Sequence, residues 1–232
     1  MARWLVQLSG ERLDLEKFPR LFPDGDVFAV EENQGVFIVG PALETLTDAL
    51  SVLEEAIRSV DSFSGVISLL WPDLRKPTVS HVYRETDEGP RNAFIFPSGI
   101  IAPRGQVSIP SIIGPSPTPT PSQPTEAQQM MSRAQSSQHL KIALALWADP
   151  ARPWPRLYRI LEEIELHIGK HVDKAGLCSA NERERFTRTA NTAEVSGADA
   201  RHAISKFVPP SDPMSLEEAT RYVGRIFSDV LR

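Results

Sequence analysis

Cysteine is almost missing from this sequence: Cys178 is the only one in 232 residues. A lone thiol excludes an intrachain disulfide framework and suits a reducing compartment. Long apolar runs are missing too. No stretch approaches the roughly 18 to 20 consecutive apolar residues of a membrane span, and the opening segment Met1 to Gly10 lacks the apolar core of a signal peptide. The expected protein is therefore cytoplasmic, with no membrane association. There is also no glycine-rich phosphate loop, nucleophile elbow or zinc-binding cysteine set. Many common enzyme families are excluded by that, no cofactor is expected, and catalysis by other means stays open.

What is present is an ordinary globular composition with two irregularities. Apolar residues make up 41% and charged residues 24%, so at this length two domains can each bury a core. The first irregularity is charge. Residues 1–101 carry 9 Lys/Arg against 16 Asp/Glu, a balance of −7, whereas residues 127–232 carry 15 against 13, a balance of +2. An acidic first half argues against binding a phosphate backbone there, and the second half is too weakly basic to argue for it. The second irregularity is proline. Much of the excess among 20 prolines falls between Pro103 and Pro124, where apolar periodicity stops after Ile113. Proline lacks an N–H and biases its predecessor to extended geometry, so residues 103–124 read as a Pro/Ser/Thr-rich, semi-rigid linker. A ligand for a proline-binding groove is the rarer alternative.

Residues 1–102 read as an α+β domain. Trp4, Val6 and Leu8 alternate as in a half-buried strand, and a short helical stretch is expected over Leu13–Leu21. Val27–Val30 and Val36–Val39 flank a hairpin turn. Leu46, Ala49, Leu50, Leu53, Ala56, Ile57 and Val60 form one helical stripe, with Gly65 ending that helix and Val66–Trp71 as the next strand. Val79–Arg84 and Ala93–Phe96 make a second hairpin, and an extended piece runs from Ile100 to Ile109. Hairpins pair antiparallel, so a mainly antiparallel sheet with one or two helices follows.

Residues 125–232 read as all-α. Thr125 with Gln128, Ser179 with Glu182, and Ser215 with Glu218 are capping-box matches. They open, respectively, a helix continuing through Leu140–Ala148, a charged helix ending near Asn191, and the C-terminal helix. The last of these is lined on its buried side by Leu216, Ala219, Tyr222, Val223, Ile226, Phe227, Val230 and Leu231. Trp154–Val172 and residues 198–207 complete the set. Trp147, Trp154 and Tyr158 are expected in the core.

Two constellations carry candidate chemistry. Glu163, His167 and His171 recur at four-residue spacing on one helix, and two histidines one turn apart with a carboxylate can share a metal. On a helical wheel the row drifts from solvent at Glu163 to the edge of the apolar stripe at His171, so a solvated flank without metal is the competing reading. Asn191, Arg201 and His202 occupy a polar stretch where a bundle would want apolar residues. An exposed Arg-His pair can hold an anion or act on phosphodiesters; a cap and a salt bridge to Asp199 or Glu194 would explain it structurally. Cys178 has no neighbouring base, and His81 lies between Val79 and Tyr83 as a half-buried strand residue.

The stretches Leu157–Glu165, Arg185–Asn191, Ser196–His202 and Pro213–Ala219 resemble uncharacterised bacterial proteins over roughly the last third of the chain. The order Ser-Gly, Arg-His, Pro-Met is the most specific part. This resemblance implies a bacterial lineage and no activity. More loosely, an all-α domain with an Asn…Arg-His element is similar to HEPN domains, helical bundles common in prokaryotic RNases of phage defence. Their active site has Arg, four to six residues, then His. Arg133 and His139 meet that spacing, while Arg201 and His202 are adjacent and depart from it. Two functions are carried forward: a non-catalytic interaction protein with a protein partner or small ligand, and a HEPN-like RNase for which RNA would be the partner.

Overall fold

A computed structural model describes residues 3–32, 35–86, 91–94, 106–109, 123–192 and 210–232. The chain divides into two compact units, Met1–Ser64 with Asp73–Gln128, and Gly65–Pro72 with Gln129–Arg232.

The first unit is built on an antiparallel sheet. Its strands are β1 (Arg3–Ser9), β2 (Phe28–Glu32), β3 (Gly35–Val39), β4 (Thr78–Glu85), β5 (Arg91–Phe94) and β6 (Gln106–Ile109), in the order β2-β3-β1-β4-β5-β6. Both expected hairpins pair: Val30 faces Phe37 across β2 and β3, and Tyr83 faces Ala93 across β4 and β5. β6 continues the sheet with Ile109 opposite Arg91, within the expected extended piece. The remainder of the expected linker up to Ser122 lies outside the described residues. β1 is central, and so it is buried on both faces: Leu5 as well as Trp4, Val6 and Leu8 is out of solvent. Leu5, Phe37, Val39, Tyr83 and Ala93 form one cluster, with Phe28 and Val30 packed against it. Short helices α1 (Arg12–Leu15), α2 (Phe18–Leu21) and α3 (Pro41–Glu44) lie between strands.

Helix α4 (Ala49–Leu70) corrects the expected strand at Val66–Trp71. Gly65 does not end the helix; it lies inside it. A Cβ at Gly65 would stand 2.7 Å from Leu144 Cδ1 and 3.1 Å from its carbonyl oxygen, so the absent side chain serves close packing. The apolar run Val66–Ile67 is fully buried, and a short apolar run does not by itself separate a strand from a buried helix. Ile57 and Leu216, both expected on buried stripes, are 42% and 43% exposed, and Val52 is buried.

The helical unit contains α5 (Glu126–Gln135), α6 (Gln138–Trp147), α7 (Trp154–Ile168), α8 (Ala180–Asn191) and α9 (Leu216–Leu231). All three capping boxes form. Thr125 and Gln128 exchange bonds of 2.8 and 3.1 Å; Ser179 with Glu182 and Ser215 with Glu218 do the same. The single helix expected from Glu126 onward is two. Ser136 turns its N–H and Oγ to the Arg133 carbonyl, the local competition by which serine interrupts helices. α7 stops at Ile168, short of Val172, because Gly169 takes a left-handed φ of 76°, an inexpensive C-terminal stop for glycine. α7 packs against α6, α8 and α9. The expected helix at 198–207 lies outside the described residues.

Candidate functional site

Glu163, His167 and His171 fall into separate neighbourhoods. Glu163, expected on the solvent side, is 1% exposed. Its Oε2 lies 2.7 Å from His139 Nδ1, and the Arg159 guanidinium donates to its Oε1. The wheel misplaced it because α7 meets three helices, so its buried arc is wider than its apolar stripe. A carboxylate can enter that arc when partners meet it. His171 is exposed instead, 2.9 Å from Glu165 Oε2 and 2.7 Å from Arg183 Nη2. Arg183 holds Glu165 in a fork of 2.7 and 3.0 Å, and the Val172 amide donates to the same carboxylate at 3.1 Å. Burial would raise the Glu165 pKa, but Arg183, His171 and the amide outweigh it and hold the carboxyl below the ordinary range. His167 is exposed. Among the described residues no three His, Cys, Asp or Glu side chains converge on a metal site.

Of the second constellation, Arg201 and His202 lie outside the described residues. Asn191 is 3% exposed at the end of α8. Its Nδ2 donates to the Thr187 carbonyl at 2.9 Å, and its Oδ1 has no partner among the described residues. Cys178 lies 3.3 Å from the Tyr222 hydroxyl, and burial pushes its thiol up, the opposite of an activated nucleophile.

The helical unit also holds a cavity of about 320 Å³ that sequence reasoning missed. The end of α4, the end of α6 with Arg152, and one face of α9 line it. Its construction begins with the turn after α6, where Asp149 Oδ1 accepts from the Ala151 amide at 2.9 Å. This turn returns Arg152 to the helix it has just left. Nε and Nη2 of Arg152 donate to the Trp147 carbonyl at 3.0 and 2.7 Å, a cation satisfying an orphan carbonyl at a helix C-terminus. The same guanidinium lies 4.2 Å from the centroid of a Trp147 ring, and Nη2 reaches Ser68 Oγ at 3.4 Å. Gly224 lets α9 come close, since a Cβ there would stand 2.8 Å from Trp147 Cη2. Trp147 itself is 4% exposed, and its Nε1 has no partner among the described residues.

Charge on this lining is predominantly positive. Burial lowers the Arg152 pKa against the opposing charge of Asp149, and among the described residues no carboxylate stands within ion-pair distance of it. Arg221 and Arg225, one helical turn apart on α9, share the lining. Arg225 is engaged with the Leu177 carbonyl at 2.9 Å and with Glu182 at 3.2 Å. Leu69, Pro72 and Trp147 give the cavity an apolar wall, with the arginines as its cations. Pockets for small molecules combine these features. The sequence signal was the Gly224 notch between Arg221 and Arg225, opposite a tryptophan followed five positions later by Arg152. It was illegible while the end of α4 was read as a strand.

The chain matches no protein-family model, no curated protein and no solved structure.

Proposed function

We propose that this protein is a non-catalytic binding protein of the bacterial cytoplasm whose helical unit takes a small ligand, with the Pro-rich segment a linker between two modules. The observation that carries this is the cavity lined by Trp147 and Arg152, where an apolar wall meets a half-buried guanidinium that has no ion pair among the described residues. An apolar lining with a few placed polar groups is how small-ligand sites are built. Among the described residues no helix is long and apolar enough to cross a membrane, which agrees with this reading. Native mass spectrometry of the full chain, purified from its host, tests it. A bound small molecule is expected on the wild type and should be absent from Thr220→Trp, which fills the cavity mouth. Identical spectra without added mass would end the proposal.

A second reading, an RNase of the HEPN-like kind, is favoured by a different observation. His139 keeps a side-chain exposure of 44% while its Nδ1 rests on the buried Glu163. A carboxylate that orients an accessible imidazole is an arrangement suited to general acid–base chemistry. This reading expects RNA cleavage in the presence of a chelator, lost in His139→Ala. RNA left intact by the wild type, or cut equally by the variant, would remove it.

A further inference from the structure

The chemistry of the cavity narrows the ligand, on the premise that the cavity is a ligand site at all. Three features point the same way. The Arg152 guanidinium is half-buried against Trp147, and its hydrogen bonds go to a carbonyl and a hydroxyl, neither of which cancels a full charge. Its Nη1 donates to nothing among the described residues, so one edge of the fork remains available. The carboxylate that acts on it, Asp149, stands beyond ion-pair distance and is paired with Arg156; a desolvated cation so weakly balanced is unfavourable, and an external anion relieves that cost.

The second feature is the wall. The Trp147 ring, Leu69 and Pro72 are apolar surfaces in the same lining. Flat rings are well matched by such a wall, because aromatic pairs favour offset or edge contacts. The third is size and rim charge. At about 320 Å³ the space equals that of about ten water molecules, too little for a polymer. Asp229, exposed on the rim, opposes a ligand with several negative charges.

We infer that the cavity binds a small organic anion, its carboxylate, sulfonate or phosphate group against Arg152 and its planar apolar body against Trp147. Arg221 and Arg225 share the lining, each with a carboxylate of its own, Glu217 at 3.9 Å and Glu182 at 3.2 Å. The anion completes the Arg152 fork through Nη1, and charge-assisted bonds of this kind are the strong ones. Specificity then comes from pairing a buried charge, which a neutral molecule of the same shape leaves unpaired.

Two fluorescent probes that differ by one sulfonate test the idea on the full chain: 8-anilinonaphthalene-1-sulfonate and N-phenyl-1-naphthylamine. The sulfonate should bind about tenfold tighter than its neutral counterpart. That preference should disappear in Arg152→Met, survive in Arg152→Lys and shrink in Arg221→Met, and both probes should lose the site in Thr220→Trp. If Arg152→Met does not fold, Arg221→Met and the salt dependence of the wild-type preference carry the same test. Equal binding of the two probes, blocked by Thr220→Trp, overturns the anion inference and leaves a cavity for neutral ligands. Binding unaffected by Thr220→Trp overturns the inference and the cavity reading together.

Discussion

Arg91 and Arg152 are both guanidiniums laid over aromatic rings, one in each unit, and they differ in what balances their charge. Arg91 is 8% exposed in the sheet, 5.6 Å from the Phe37 centroid, and it pairs with Glu32 and with Glu85, the latter at 2.9 Å. Two carboxylates from β2 and β4 close its fork. Arg152 lies 4.2 Å from Trp147; among the described residues its hydrogen bonds go to a helix-end carbonyl and a serine hydroxyl, and the carboxylate that acts on it, Asp149, stands beyond ion-pair distance. The same side chain thus ties strands together in one place and leaves charge directed at a cavity in the other. Burial alone does not separate the two roles; the count of opposing charges does.

Removing the balanced guanidinium should have the largest effect. Arg91→Met leaves Glu32 and Glu85 facing one another with little solvent, and a loss of about 3 kcal/mol is expected in urea unfolding of the full chain. A loss no larger than that of Arg152→Met would break the comparison. Next comes the notch beside the cavity. Gly224→Ala pushes a methyl group into the Trp147 ring, and about 2 kcal/mol should be lost to overpacking. An unchanged melting temperature would show that Trp147 yields into the cavity. Arg152→Met removes the bonds to the Trp147 carbonyl but no ion pair, so about 1.5 kcal/mol is expected.

The smallest effect belongs to Glu165, whose partners in the helical unit do balance it. Its carboxyl is held below the ordinary glutamate pKa, so its stabilisation is complete above that ordinary value and is lost as pH falls through the lowered one. Glu165→Gln should therefore cost about 1 kcal/mol at neutral pH and progressively less in acid. A wild-type-minus-variant difference that stays constant from neutral to strongly acidic pH would remove the pair from the account of stability.

Legibility followed the range of the interactions. The capping boxes at Thr125, Ser179 and Ser215 were readable because both partners lie three residues apart, and the α9 stripe because the helical period orders it. Both hairpins were readable from alternation and turn residues. Gly65 was misread because a glycine that stops a helix and one that admits Leu144 look alike in sequence. Glu163 was misplaced because a wheel knows one helix, whereas His139 arrives from another. Ile57 failed for the same reason.

Sequence by itself determined the three capped helix starts, the hairpins with their antiparallel pairing and the charge contrast between the halves, since these depend on neighbours within a few residues or on composition. Tertiary structure alone decided that Gly65 lies within α4, that Glu163 is buried, and that Arg152 reaches the cavity without an ion pair among the described residues. Each of these depends on which surfaces meet across long stretches of chain, and local periodicity carries no record of the partner.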